Sequence, residues 1–314
     1  MRFPAIFNLG QTFKHAIRPS FVSAIRLRPG DAFMIGASLT AWWSRWAMFH
    51  RTMALALLLT LTAIPASAGW LEADDAYRRG DFQTALREYK ALARKGNASA
   101  RFNLGLMYEK GRGVPRNYAQ AVRWYRKAAR QGLAPARLNL GLMYQKGRGV
   151  RRSYRRAVGW YRKAARQGLA PAQLNLGLMY QNGRGVRRSY PTAVRWYRKA
   201  AARGFATAQL NLGLMYQKGR GVRRDYREAV RWYRKAAEQG DAQAQFNLGI
   251  MHLDGKGTPK NTVLAYTWWS LAARKESSAA HNLQVLDRRM TPEQKAKARA
   301  LAAQWRLRYV APAK

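Results

Sequence analysis

The chain has 314 residues, 48% of them hydrophobic, which is enough to bury a core in one or two domains. With 58 Lys plus Arg against 15 Asp plus Glu the net charge is +43, yet 11 Trp, 16 Tyr and 10 Phe exclude a chain kept disordered by charge. The absence of cysteine excludes disulfides, thiol nucleophiles and thiolate-bound metals.

Residues 1–47 show neither helical nor strand periodicity and match nothing downstream, so a non-native or unstructured extension is expected there. An acid-poor organellar transit peptide is the alternative for that segment. Translation is expected to begin at Met48 or Met53. Residues 48–68 have the parts of a secretory signal peptide: His50 and Arg51, an apolar run from Met53 to Ile64, and the small-x-small site Ala66-Ser67-Ala68. That run is shorter than the ~20 apolar residues of a membrane-crossing helix. The expectation is a Sec-type bacterial export signal, a mature chain starting near Gly69, and a periplasmic or secreted location. An uncleaved inner-membrane anchor is the alternative, and no stable membrane span is expected once the signal is removed.

From there the chain repeats itself. NLGLMY begins at Asn103, Asn139, Asn175 and Asn211, NLGIMH follows at Asn247, and WYRKAA begins at Trp124, Trp160, Trp196 and Trp232, always 36 residues apart. Phe82, Ala85, Tyr89, Ala93 and Gly96 start the register early, which makes residues 69–97 an N-terminal capping helical unit. Five full units are expected at about 98–133, 134–169, 170–205, 206–241 and 242–276, with a C-terminal capping unit over 277–310.

Each unit reads as two helices. Ala100, Leu104, Met107 and Tyr108 recur at i, i+4, i+7 and i+8, one face of a first helix. Gly105 lies inside it at a cost of ~1 kcal/mol relative to Ala, and its recurrence implies a neighbour too close to admit a side chain. In the second helix Ala121, Trp124, Ala128 and Ala129 form an apolar stripe, with Trp124 expected to supply the bulk. Gly132 and its equivalents follow the last turn as left-handed stops. One such pair cannot cover its own apolar face, so the pairs must stack into a solenoid. Thr291-Pro292-Glu293 opens a final helix whose Ala298, Leu301, Ala302 and Trp305 are spaced to close the last groove.

The unit AxAQxNLGxMYxxGxGVxxxYxxAVxWYxKAAxxG resembles the Sel1-like repeat, a relative of the tetratricopeptide repeat. Ala208, Asn211, Gly213, Tyr216, Gly219, Gly221, Tyr226, Ala229, Trp232, Tyr233, Ala236 and Gly240 carry the resemblance within one unit. It implies an all-α fold, a right-handed α/α superhelical solenoid of helix-turn-helix repeats, and a non-enzymatic scaffold or adaptor that holds a protein partner on its concave surface. The chain departs from the family in charge: between Glu109 and Asp225 lie 115 residues with 28 Lys or Arg and no carboxylate. Any partner of that region is therefore expected to be anionic.

The GRGV loops invite a phosphate-loop reading, but a helix precedes them and no GK[ST] follows. Their first glycines are better read as helix C-caps and their second as tight bends. The candidate anion-binding residues lie on those loops: Arg148, Arg151 and Arg152; Arg184, Arg187 and Arg188; Arg220, Arg223 and Arg224. Equivalent loops should stack ~10 Å apart, giving a ladder of guanidiniums suited to phosphate, sulfate or carboxylate polymers. Such a ladder would bind lipopolysaccharide, acidic polysaccharide or nucleic acid; solubility alone is the competing explanation for the charge. Disordered RGG-type nucleic-acid binding is disfavoured, because every Arg-Gly here has a fixed phase in a repeat. Gln145, Gln181 and Gln217 are candidate concave-face contacts. Beyond the leader only His252, at a Tyr position, and His281, at a Phe/Leu position, are present, and both are expected to be packed substitutions. No HExxH, GxSxG or SxxK motif occurs, and the cysteines of Sel1-like proteins linked to β-lactam hydrolysis are missing. The expectation is no enzyme, no cofactor, no metal and no small-molecule substrate.

Overall fold

The computed structural model describes residues 69–309, and the readings made for 1–47 and 48–68 lie outside them. Among the described residues every regular element is a helix. The first pair is α1 (69–79) and α2 (Phe82–Arg94). Then follow α3 (Ala98–Lys110) with α4 (Tyr118–Arg130), α5 (Ala134–Lys146) with α6 (Tyr154–Arg166), and α7 (Ala170–Asn182) with α8 (Tyr190–Ala202). The series continues with α9 (Ala206–Lys218) and α10 (Tyr226–Glu238), then α11 (Ala242–Asp254) and α12 (Thr262–Ala272). It closes with α13 (Ser277–Asp287) and α14 (Pro292–Tyr309). From α3 to α12 each second helix packs on its own first helix, and each of α2, α4, α6, α8 and α10 packs on the first helix of the next pair, while α12 receives both α13 and α14; the pairs form an all-α solenoid.

Local chemistry sets these boundaries. Every second helix from α4 to α12 starts on a side-chain cap: Asn117, Ser153, Ser189, Asp225 and Asn261 each accept from the backbone N–H three residues on. Asn97 and Asp241 do the same for α3 and α11, while α5 and α7 have no such bond and carry Pro135 and Pro171 in the first turn. The first helices stop at Gly111, Gly147, Gly183, Gly219 and Gly255, whose φ values of +65° to +71° favour glycine. The C-cap reading of the GRGV loops therefore holds. At the far end Thr291 and Gln294 exchange reciprocal side-chain-to-backbone hydrogen bonds, a capping box that starts α14.

The tight helix contact implied by Gly105 is present in the five pairs from α3 and α4 to α11 and α12. A Cβ on Gly105, Gly141 or Gly177 would lie 2.5 Å from a ring carbon of Tyr125, Tyr161 or Tyr197. Those tyrosines and Tyr233 have no exposed surface. This corrects the expectation for Trp124: the bulky core residue of the second helix is the tyrosine beside it. Trp124, Trp160, Trp196 and Trp232 are half-buried, and the ammonium of the lysine three residues on lies 4.5–4.8 Å from each ring centroid. The lysine stems are thus used, with their charge on the tryptophan faces. In the last full pair Trp269 takes the core position and its Nε1 donates to the Phe246 carbonyl. Trp305 of α14 meets Trp268 edge to face at 4.6 Å, closing the end of the stack.

Candidate functional site

The second glycine of each loop seats it on the preceding pair. Gly149, Gly185 and Gly221 have φ between +68° and +75°, and a Cβ on them would fall 2.3–2.4 Å from the carbonyl carbon of Tyr118, Tyr154 or Tyr190. Each loop thus rests on the first residue of the previous pair's second helix, and successive loops line one edge of the stack.

That contact builds an alternation of guanidinium and phenol rings. Arg116 and Arg148 lie over Tyr118, Arg152 and Arg184 over Tyr154, and Arg188 and Arg220 over Tyr190, with 5.4–5.7 Å from guanidinium carbon to ring centroid. Arg224 repeats the contact on Tyr226. All nine candidate arginines are exposed. Six of them, Arg148, Arg152, Arg184, Arg188, Arg220 and Arg224, are held on tyrosine faces, which fixes each planar group while leaving N–H donors at its rim. Arg151, Arg187 and Arg223 touch no ring and make no hydrogen bond or ion pair among the described residues. Tyr226 is read from the sequence only as a repeat position, and none of these tyrosines is paired there with an arginine, although Arg-x-Tyr at residues 116–118, 152–154, 188–190 and 224–226 recurs in phase.

Two of these loops border a concave surface. Tyr180, Val186, Arg187, Arg188, Ser189 and Tyr190 line an open cavity of about 730 Å³. Its equivalent 36 residues on, of about 690 Å³, is lined by Tyr216, Val222, Arg223, Arg224, Asp225 and Tyr226, among others. The floor tyrosines are fixed by the preceding pair, since Arg162 and Arg198 donate to the hydroxyls of Tyr180 and Tyr216 at 3.1 and 2.8 Å.

The glutamines are also engaged. Tyr161, Tyr197 and Tyr233 donate to Oε1 of Gln145, Gln181 and Gln217 at 2.5, 2.7 and 2.5 Å, and Glu109 accepts from Tyr125 in the same way. Burial pushes all four phenol pKa values well up, and the Glu109 charge adds to the rise at Tyr125, so the tyrosines stay protonated donors. Each glutamine is half-buried, and only its amide end is left for a ligand.

His252 is buried as expected, with 2% exposure, whereas His281 is exposed because its face of α13 has no neighbour over it. The His252 Nδ1 lies 3.4 Å from the Thr258 hydroxyl and its Nε2 has no partner. Burial, then the positive charge of Arg234, lowers its pKa below the ordinary 6.5. The unfolded chain therefore binds the proton more tightly. Stability should be constant above pH ~6.5 and fall as pH drops through that value toward the folded pKa. Denaturant titrations at about pH 7.5 and pH 5.5 should show this loss in the native chain and its absence in His252→Tyr, the residue the repeat places there. No group of three or more His, Asp or Glu among the described residues is arranged to hold a metal ion. No described helix is long and apolar enough to cross a membrane.

Comparison with known proteins agrees with this geometry. The Sel1 repeat family model matches residues 98–133, 134–169, 170–205, 206–241 and 242–277. The chain is 34% identical to a protective antigen of uropathogenic Escherichia coli strains displaying an SLR fold, with a TM-score of 0.70 over 81% of this chain and 55% of that one. It is also 34% identical to a Sel1 repeat protein from Oxalobacter formigenes, with a TM-score of 0.66 over 74% of this chain and 98% of that one. The chain thus spans about half the length of the Escherichia coli protein. Comparison with curated proteins gave no match.

Proposed function

The chain belongs to the Sel1 repeat family, and from that premise we propose that it is a non-enzymatic scaffold or adaptor that binds another protein and acts after export to the periplasm or beyond the cell. The observation that carries the reading is the unbroken run of five stacked repeats, whose recurring glycines and tyrosines pack one helix against the next. Residues 48–68 support export, and a mature N-terminus near Gly69 in the exported protein is the corresponding expectation. The amide ends of Gln145, Gln181 and Gln217 are the proposed contacts on the concave face. Affinity capture of the crosslinked full chain from its native host tests the scaffold: one stoichiometric protein adduct is expected, and turnover in a hydrolase screen without any adduct would overturn it.

A second reading is favoured by the nine exposed arginines of the loop edge: binding of an anionic polymer such as lipopolysaccharide, acidic polysaccharide or nucleic acid. Retention on immobilised heparin should then fall steeply with salt, and it should fall again when Arg148, Arg151, Arg152, Arg187 and Arg188 become Gln.

A further inference from the structure

We propose that the loop edge is the recognition surface for an extended acidic peptide segment of the partner protein, one carboxylate side chain set against the arginine pair of each loop. The inference rests on the scaffold reading and names the partner chemistry and the face that meets it.

Three observations lead there. The first is charge: the edge runs through a stretch, 110–224, with 28 cations and no carboxylate, so Arg151, Arg152, Arg187 and Arg188 have no acidic neighbour in their own loops. Arg151, Arg187 and Arg223 stand at equivalent places on three successive loops with no partner among the described residues. Each is flanked by an arginine, Arg152, Arg188 or Arg224, already held on a tyrosine ring. One free and one fixed guanidinium form a pair of donors suited to a carboxylate.

The second is the lining chemistry. The lining of the cavity at Arg187 combines Tyr180, Val186 and Tyr190 with the guanidinium-bearing Arg187 and Arg188. A side chain with a methylene stem and a terminal carboxylate uses both parts. A phosphate or sulfate polymer would use the guanidiniums and leave the apolar lining wet. Base stacking is opposed as well, because Tyr118, Tyr154 and Tyr190 each already have two guanidiniums against the ring.

The third is register. Stacked helices lie ~10 Å apart, and an extended chain advances ~3.3 Å per residue, so every third residue of such a segment comes over a new loop. Asp225 occupies the place of Ser189 in the cavity that Arg223 and Arg224 line and brings a carboxylate to it, so the Arg223 loop is the last and weakest position of the run.

The test is fluorescence anisotropy of the full chain with a labelled peptide of about twelve residues, Asp-Ala-Thr repeated, long enough to span about four loops. The native chain should bind it. R151Q/R187Q/R223Q should bind about tenfold more weakly, the sum expected for three exposed charge pairs, with unchanged thermal unfolding because none of the three makes a hydrogen bond, ion pair or ring contact among the described residues. R130Q/R166Q/R203Q removes the same charge at the other ends of the second helices and should bind as the native chain does. No binding by the native chain, or equal loss in both triple variants, would overturn the proposal. So would labelled heparin or oligothymidylate being bound through Arg151, Arg187 and Arg223 while the peptide is not. If the peptide is ignored but a photocrosslinker at Gln181 still captures a single protein, the scaffold reading stands and the loop-edge proposal alone falls.

Discussion

Gly177→Ala is expected to destabilise the protein by ~2 kcal/mol, although alanine is the better helix former by ~1 kcal/mol. The new Cβ would lie 2.5 Å from a ring carbon of Tyr197, and that ring has no exposed surface into which to move. Overpacking a fixed core of this kind costs ~1–3 kcal/mol, and here the upper end applies, offset in part by the propensity gain. The midpoint of thermal unfolding should fall by roughly 4–8 °C for a chain of this size. The same change at Gly159 has the opposite sign. That glycine lies inside α6 on an exposed face, and a Cβ there meets nothing within 4 Å. Gly159→Ala should therefore stabilise by ~1 kcal/mol. Calorimetry of the two variants separates packing from propensity, and two shifts of the same sign would contradict the account of the core.

Gly185→Ala is expected to cost more, ~3 kcal/mol. Its φ of +71° alone is worth ~1–2 kcal/mol against a residue with a side chain. The added Cβ would also fall 2.3–2.6 Å from the Tyr154 carbonyl and the Arg155 nitrogen. Backbone cannot rotate out of the way, so the loop must lift from α6 and release Arg184 from the Tyr154 ring. Gly204→Ala isolates the conformational part, since Gly204 has φ +79° with nothing within 4 Å of the added atom. It should cost only ~1–2 kcal/mol. Denaturant unfolding showing equal losses for the two would mean that the loop does not bear on the helix.

Much of this was legible in the residues because it depended on period and on glycine. The 36-residue step gave the helix pairs, the glycine inside NLGLMY implied the close neighbour, and the paired glycines of GRGV implied a cap and a bend. Side chains next to one another within a helix were harder to rank. Trp196 and Tyr197 are both large and aromatic, and only the angular position of each on α8 decides which faces α7. The helix turns ~100° per residue, so adjacent positions differ by enough to reverse burial. The glutamines show a different limit. Gln181 lies between apolar positions of its helix, as a concave-face residue would, but its acceptor oxygen is taken by Tyr197, 16 residues away in the partner helix. The loop arginines were recognised as a ladder from their phase. The rings holding them come partly from the preceding pair, 30 residues upstream, as with Arg184 on Tyr154. That pairing needs the stacking geometry and not the local pattern.

The central claim is that the chain works by holding another protein against its repeats. Site-specific photocrosslinking in the native host tests it most directly, with the reactive group placed in turn at Gln181, at Arg187 and at Arg166 on the far end of α6. The account predicts a single protein adduct from Arg187 or Gln181 and none from Arg166. No adduct from either of the first two positions, or the same yield from all three, would contradict it.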